Sequence, residues 1–185
     1  MSYEDKLALS LALNVSGSFE GPHGWGNITD DFDDQGVSLG LLNQNLGQGS
    51  LQPLLVKMRD KHPAVLANVF SPAHLPSLLG MLAAWQPPPA PPAPPPSPNN
   101  RLDEPTGPVS AQVSPAAAAG VAWARKNLYV NGAFDPLWKS ELVALARTPE
   151  YVSLQIAAAG WLHEQALSEQ AAVGVRELRA YLMMF

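Results

Sequence analysis

The strongest constraint on the fold of this chain is a proline-rich run at its middle, PPPAPPAPPPSP over residues 87–98. Proline fixes its own φ angle and donates no backbone hydrogen bond, so the run can neither continue a helix nor enter the interior of a sheet. It predicts an extended polyproline II segment of ~37 Å, at about 3.1 Å per residue. The sequence up to residue 115 is also poor in apolar side chains. We therefore expect residues 87–115 to form a disordered insertion.

The two flanking parts, residues 1–86 and 116–185, are interpreted as halves of one domain. The chain has 185 residues, of which 46% are hydrophobic. That length is sufficient for one well-formed core and too short for two enzyme domains.

Helical spacing of apolar residues dominates the N-terminal part. Ser2 and Asp5 resemble a capping box that begins a helix running to Val15, and the glycines between residues 17 and 26 end regular structure. The short apolar run at residues 36–42 predicts a small strand or hairpin. Three helices are predicted after it. The first holds Leu51, Leu54, Leu55 and Met58 at helical spacing, and the other two cover residues 64–70 and 76–85.

The C-terminal part is predicted to be entirely helical, over residues 116–127, 136–146 and 149–170 and from about residue 173 onward. The chain ends inside the last of these helices, on apolar residues, which predicts a C-terminus that is truncated or completed by a partner. The predicted fold class is thus mainly α, a helical bundle with one small β-hairpin.

Composition argues against several classes of partner and site. Charged residues make up 15% of the chain and the net charge is -5, whereas nucleic-acid binding requires clustered Lys and Arg. Cysteine is absent, which excludes thiolate metal sites, and the histidines lack metal-ligand spacing, so neither a metal nor a cofactor is predicted. No signal peptide and no membrane span is predicted, so a substrate outside the cytoplasm requires delivery by a holin or a secretion machine.

Glu20 is the first candidate for chemistry. If the first helix continues beyond Val15 to about Phe19, Glu20 lies at its C-terminal end, where the helix dipole disfavours a negative charge. Phe19 and Trp25 add apolar surroundings. Both effects raise the pKa of a carboxyl group, as a general acid at neutral pH requires. The alternative is an exposed glutamate on a loop.

The second candidate is the acidic segment at residues 30–36, Asp-Asp-Phe-Asp-Asp-Gln-Gly. Its spacing suggests a calcium-binding EF-hand loop, but Leu42 stands at the twelfth position, where a bidentate Glu is required. A solvated acidic turn is one alternative. The other is a second catalytic carboxylate at Asp33, because glycoside hydrolysis uses a pair of carboxyl groups.

Glu20 and the segments at residues 32–42 and 45–54 together resemble the catalytic region of lysozyme-like glycoside hydrolases. The resemblance is to chitosanase-type and peptidoglycan-active domains of phage lysins and secreted antibacterial effectors. In that group a Glu ends a helix, and an Asp opens an Asp-Gly-(Arg/Gln)-Gly hairpin. Residues 148–151 and the helices after them resemble the C-terminal half of the same group.

The resemblance implies an α+β lysozyme-like fold with the hairpin beside a catalytic cleft. It implies that Glu20 protonates the leaving glycosidic oxygen and that Asp33 activates water. The long loop between the two residues predicts widely separated carboxyl groups and hence inversion of the anomeric centre. The substrate would be peptidoglycan or a related amino-sugar polymer at the cell wall, with an immunity or delivery protein as a possible partner. The residues expected to bind substrate are Trp25, Asp34, Ser38 and Asn45.

Two departures from the group's pattern leave alternatives open. Asp34 stands where the group usually has Gly, so that Asp33 and Asp34 compete for the same role. Asn43-Gln44 stands where Gln-Trp is expected, which either weakens sugar stacking or repacks the core. These departures motivate a wall-binding or interaction module without catalysis as a rival hypothesis. The acidic segment motivates another, hydrolysis of the cationic polymer chitosan.

Overall fold

A computed structural model describes residues 7–13, 15, 24–86, 114–174 and 177–184. The predicted acid Glu20 and the capping box at residues 2–5 lie outside the described residues. So does the predicted insertion, apart from Ser114 and Pro115.

The described chain is mainly helical, as the sequence predicts. Helix α1 covers residues 7–13, and a 3-10 helix follows at Gly24–Gly26. The other helices before the proline-rich run are α2 (Gln52–Lys61), α3 (Pro63–Val69) and α4 (Leu75–Ala84). Those after it are α5 (Pro115–Asn127), α6 (Pro136–Ala146), α7 (Pro149–Ala172) and α8 (Leu178–Met184).

Three helices of the C-terminal part begin with the same local signal, a capping side chain followed by proline. Ser114 accepts a hydrogen bond from the amide of Ala117, and Thr148 accepts one from the amide of Tyr151. Asp135 accepts from two backbone amides at the start of α6. Each cap satisfies amides that have no partner within the helix, while proline at the first helical position loses no hydrogen bond.

Two small antiparallel sheets accompany the helices, so the prediction of a single hairpin is wrong. Strands β1 (Ile28–Thr29), β2 (Ser38–Leu39) and β3 (Gln44–Asn45) form a three-stranded sheet in that order. Strands β4 (Tyr129–Val130) and β5 (Ala133–Phe134) form a separate hairpin. Its turn is Asn131-Gly132, with φ angles of 53° and 79°, which is the residue pair that two-residue hairpin turns favour.

The last predicted helix begins later than its apolar pattern suggests. Helix α7 ends at Ala172 and Gly174 follows with a φ angle of 71°, a left-handed conformation that terminates helices. Helix α8 starts only at Leu178.

The principal core combines residues from both sides of the proline-rich run. Leu39 of β2 and Met58 of α2 are fully buried, and so are Leu128 and Leu145 on the C-terminal side. Buried Gln155 of α7 fixes the sheet against this core, because its Oε1 accepts a hydrogen bond from the Leu41 amide at 2.8 Å. The three-stranded sheet, whose β1–β2 connection carries the acidic segment, is therefore anchored to the C-terminal helices. Within the described ranges, no helix has both the length and the hydropathy needed to cross a bilayer.

Candidate functional site

The acidic loop, residues 30–36, connects β1 to β2 and lies against the C-terminal end of α5. Arg125 in the last turn of α5 reaches two of its carboxylates. Arg125 Nε donates to Asp31 Oδ2 and Nη2 donates to Asp34 Oδ1, each at 2.5 Å. One guanidinium group thus bridges two carboxylates of a segment more than 90 positions earlier in the chain.

Gly36 closes the acidic loop. Its amide donates to Asp31 Oδ1 at 2.6 Å, and its carbonyl accepts from the Tyr129 hydroxyl at 2.7 Å. The φ angle of Gly36 is 80°, and an added Cβ would lie 3.2 Å from the Cβ of Ala124 and 3.2 Å from the Cα of Val121. Only glycine combines this conformation with such close approach to α5.

Asp33 and Asp34, which the sequence leaves as rivals, differ clearly in the structure. Asp34 has a φ angle of 62° and a side chain that is 89% exposed, and it is paired with Arg125. Asp33 is exposed, and its Oδ1 accepts only a local hydrogen bond, from the Gln35 amide at 3.3 Å. Within the described residues, no cation pairs with the carboxyl group of Asp33.

A groove of about 620 Å³ runs between the acidic loop and the β4–β5 hairpin. Phe32 stands at its edge with 78% of its surface exposed, which is unusual for a large aromatic residue. Carboxylates, an amide and two aromatic rings therefore face one open surface. Its lining residues are Asp30, Asp31, Phe32, Arg125, Tyr129, Asn131 and Gly132.

The electrostatics of this site follow from its contacts. Burial tends to raise the pKa of Asp31, but the hydrogen bonds from Arg125 and Gly36 and the charge of Arg125 lower it below its ordinary value. The hydrogen bond to Asp31 raises the pKa of Arg125. Burial, reinforced by the negative charges of Asp31 and Asp30, raises the pKa of Tyr129 to about 12. Asp31 is thus an ionised structural carboxylate rather than a proton donor.

Neither Asp33 nor Asp34 lines this groove. The remaining predicted substrate-binding residues lie away from it or beneath the surface. Trp25 is half-buried in the 3-10 helix and packs against a small cluster that includes Leu41. Ser38 and Asn45 face each other in the β2–β3 register and are 5% and 6% exposed. Asn45 Oδ1 accepts from the Gln48 amide at 2.8 Å, so it stabilises the turn after β3. This burial speaks against direct substrate contact by Ser38 and Asn45.

Gln44 of the Asn43-Gln44 pair faces the interior of the protein. Gln44 is 7% exposed and lies in β3, opposite Leu39 of β2. A residue so placed cannot stack on a sugar from solvent. Asn43, with a φ angle of 47°, supplies the left-handed residue of the turn between the two strands.

Two residues of the site have no counterpart among the sequence predictions. Tyr129 would have been found from the Asn131-Gly132 pair, because that pair predicts a hairpin that places Tyr129 beside Phe134. Arg125 gives no local signal, since its partners are distant in sequence. Across the described part of the chain no three His, Asp or Glu side chains are grouped as metal ligands.

Comparison of the chain with protein-family models, with curated proteins and with solved structures found no match.

Proposed function

We propose that this chain is a lysozyme-like glycoside hydrolase that cleaves the glycan strands of peptidoglycan. The observation that carries the proposal is that the carboxyl groups of the acidic loop have different partners. Arg125 occupies Asp31 and Asp34, whereas Asp30 and Asp33 present exposed carboxyl groups with no cationic partner among the described residues. Of these two, Asp33 stands at the Asp position of the resembling motif. A carboxylate that activates water must be accessible, and Asp33 meets this requirement.

Glu20 is the proposed general acid and Asp33 the general base. The acid protonates the leaving glycosidic oxygen, while the base removes a proton from the water that attacks the opposite face of the sugar. An inverting reaction requires carboxyl groups about 6.5–9.5 Å apart, and a retaining one about 5–5.5 Å. The proposed inversion is tested by following the anomeric configuration of the released sugar by NMR.

The conformation of Asp34 supports the motif from which the proposal starts. The resembling group usually has Gly at this position, and the φ angle of 62° is one that glycine adopts without strain. Asp is one of the few other residues that tolerate this region. The departure from the usual pattern therefore retains the backbone shape of the hairpin.

The groove beside the acidic loop supports a sugar polymer as the ligand. Exposed aromatic rings stack on the apolar faces of sugars, and carboxylates and amides bind their hydroxyl groups. Phe32 and Asn131 supply both kinds of contact at the groove surface. The enzyme would act at the cell wall after release through a holin or delivery by a secretion system, with an immunity or delivery protein as a further partner.

The test measures sugar release from purified peptidoglycan by the wild type and by Glu20→Gln, Asp33→Asn and Glu164→Gln. General acid–base groups contribute about 10²–10⁴-fold, so the first two variants are expected to lose activity on that scale. Glu164→Gln, which removes an exposed carboxylate of α7 outside the acidic loop, is the control and is expected to remain active. Equal rates for wild type and Asp33→Asn would overturn the proposed role.

A wall-binding module without catalysis is the second candidate, and the departures from the resembling group's pattern at Asp34 and Asn43-Gln44 motivate it. Gln44 is buried in β3, and its Oε1 has no hydrogen-bond partner among the described residues. Sedimentation with insoluble peptidoglycan would then show binding without soluble sugar products. Parallel digestion of chitosan separates both candidates from a chitosan hydrolase, for which the negative charge of the acidic loop would suit a cationic substrate.

A further inference from the structure

We infer that Arg125 is a positioning residue that holds the acidic loop on α5 and thereby orients Asp33. The inference rests on the proposed function, because it assigns Arg125 a role in the reaction of Asp33. Arg125 itself is turned toward Asp31 and Asp34 and makes no contact with Asp33.

The geometry of the guanidinium group is suited to this role. Arg125 Nε and Nη2 are two donors with a fixed angle between them, and each meets a different carboxylate. The residues that they hold, Asp31 and Asp34, enclose Asp33 on both sides along the chain. The backbone of Asp33 is therefore fixed between two anchored positions.

The acidic loop is held at a third point by Tyr129 of β4. Tyr129, four residues after Arg125, donates to the carbonyl of Gly36, while Asp31 accepts from the amide of Gly36. The Asp34 amide donates to the Asp31 carbonyl at 3.2 Å and completes a turn around Asp33. Removal of Arg125 leaves the Tyr129 anchor in place, so it loosens one side of the loop without detaching it.

Charge is a second reason why Arg125 favours the compact shape of the loop. Asp30, Asp31, Asp33 and Asp34 place four carboxyl groups within five positions, and like charges so close repel one another. The single positive charge of Arg125 offsets part of this repulsion, because it pairs with two of the four, Asp31 and Asp34. Without it, repulsion favours a loop in which Asp33 takes many orientations.

The test compares Arg125→Gln and Arg125→Lys with Lys126→Gln, a matched change at the next position of α5, which is also exposed. Initial rates are measured on solubilised glycan strands to separate kcat from KM, and hydrogen exchange of the Gly36 amide is followed by NMR. Misplacing a reacting group by about 1 Å lowers turnover on the order of 10²-fold, so a loss on that scale in kcat is expected for Arg125→Gln. We expect little change in KM, faster Gly36 exchange, and no effect of Lys126→Gln.

Arg125→Lys distinguishes positioning from a simple charge effect. Lysine carries the same charge as a single compact ammonium group and cannot reproduce the two-pronged contact. A reduced kcat with fast Gly36 exchange in this variant therefore supports the inference, whereas full activity with lysine overturns it.

Two further results separate failure of the inference from failure of the proposed function. If Arg125→Gln exchanges Gly36 faster but keeps the wild-type kcat, the contact holds the loop without orienting Asp33, and the inference is overturned. If Asp33→Asn is as active as the wild type on every glycan tested, the proposed function fails. Gly36 exchange in Arg125→Gln would then still report whether the contact holds the loop.

Discussion

Two contacts of carboxyl groups join the parts of the chain that precede and follow the proline-rich run, and they lie in contrasting surroundings. In the acidic loop, Arg125 is 48% exposed where it meets Asp31. At the other contact, Glu141 of α6 is buried, with a side chain only 6% exposed, and meets His74 just before α4.

The buried contact is embedded in hydrogen bonds and aromatic rings. Glu141 Oε2 lies 2.7 Å from His74 Nδ1, and Oε1 accepts from the amide of Ser71 at 2.8 Å. The ring of Trp138 stacks on His74 with centroids 4.0 Å apart and an angle of 9° between the planes. Phe70 and Trp123 pack against the same indole.

The exposed Arg125 contact and the buried Glu141 contact use similar chemistry but have different effects. An exposed ion pair contributes little to stability because solvent competes with it, so the Arg125 contact acts mainly on loop geometry. A buried acceptor whose donors have no substitute contributes much more, because its loss leaves them unsatisfied. We therefore expect changes at Glu141 to act on stability and changes at Arg125 to act on activity.

Trp138→Ala is expected to lower the free energy of unfolding most. Trp138 is 3% exposed, and truncation of a buried Trp to Ala lowers the free energy of unfolding by about 3–5 kcal/mol. The measurement is urea unfolding followed by circular dichroism. Trp85→Ala, at a half-buried position, is the control and should produce a clearly smaller loss.

Glu141→Ala comes next. It leaves the Ser71 amide and the His74 ring without their acceptor, at about 1–3 kcal/mol for an unsatisfied buried group. Glu164→Ala, at an exposed position of α7, is the matched control. Urea midpoints that are the same for both variants would contradict the contrast between buried and exposed contacts.

Tyr129→Phe is expected to destabilise by about 1 kcal/mol, the usual net value of one hydrogen bond. Because the pKa of Tyr129 is raised to about 12, folding favours the neutral phenol. Its contribution is fully present below the unfolded value of about 10 and is lost as pH rises from there toward 12. The wild type should thus lose more stability than Tyr129→Phe across this range, and a tyrosinate absorbance titration should show one fewer late transition in the variant.

Asp31→Asn is expected to give the smallest effect, below about 1 kcal/mol, since the Arg125 side of the pair is open to solvent. The pKa of Asp31 is lowered in the folded protein from 3.8, so its contribution is present above that value and is lost as pH falls through the folded pKa. The difference in stability between wild type and Asp31→Asn should therefore shrink in acid. In the Arg125→Gln background the same substitution should change stability less at every pH, because the shared interaction is already gone.

Local patterns carried much of the helical architecture. Ser114, Asp135 and Thr148 each precede a proline, and the helices predicted after them begin at those prolines. The strand predicted within residues 36–42 is β2, but its hairpin partner β3 begins only at Gln44, beyond the predicted range. The Asn131-Gly132 pair is an equally clear sequence signal for a hairpin turn. It forms the turn of the β4–β5 hairpin, which the sequence prediction omitted.

The candidate site was only partly predictable. The acidic loop stands out in the sequence because four carboxyl groups in five positions require an explanation. Which of them is free and which is paired depends on Arg125, which is brought to the loop by packing of α5 and gives no sign of this in its own neighbourhood. Ser38 and Asn45 lie in the motif, but their burial follows from strand register, which periodicity in strands of two residues does not fix.

By itself, the sequence determined the mainly helical class, the caps that start the C-terminal helices and the place of the acidic loop. These features depend on backbone chemistry within a few residues. The tertiary structure alone decided that Asp31 and Asp34 pair with Arg125, that Gln44 points inward and that Glu141 contacts His74. Each of these outcomes joins residues that are distant in sequence or depends on which face of a strand is covered, and only the packed core brings such partners together.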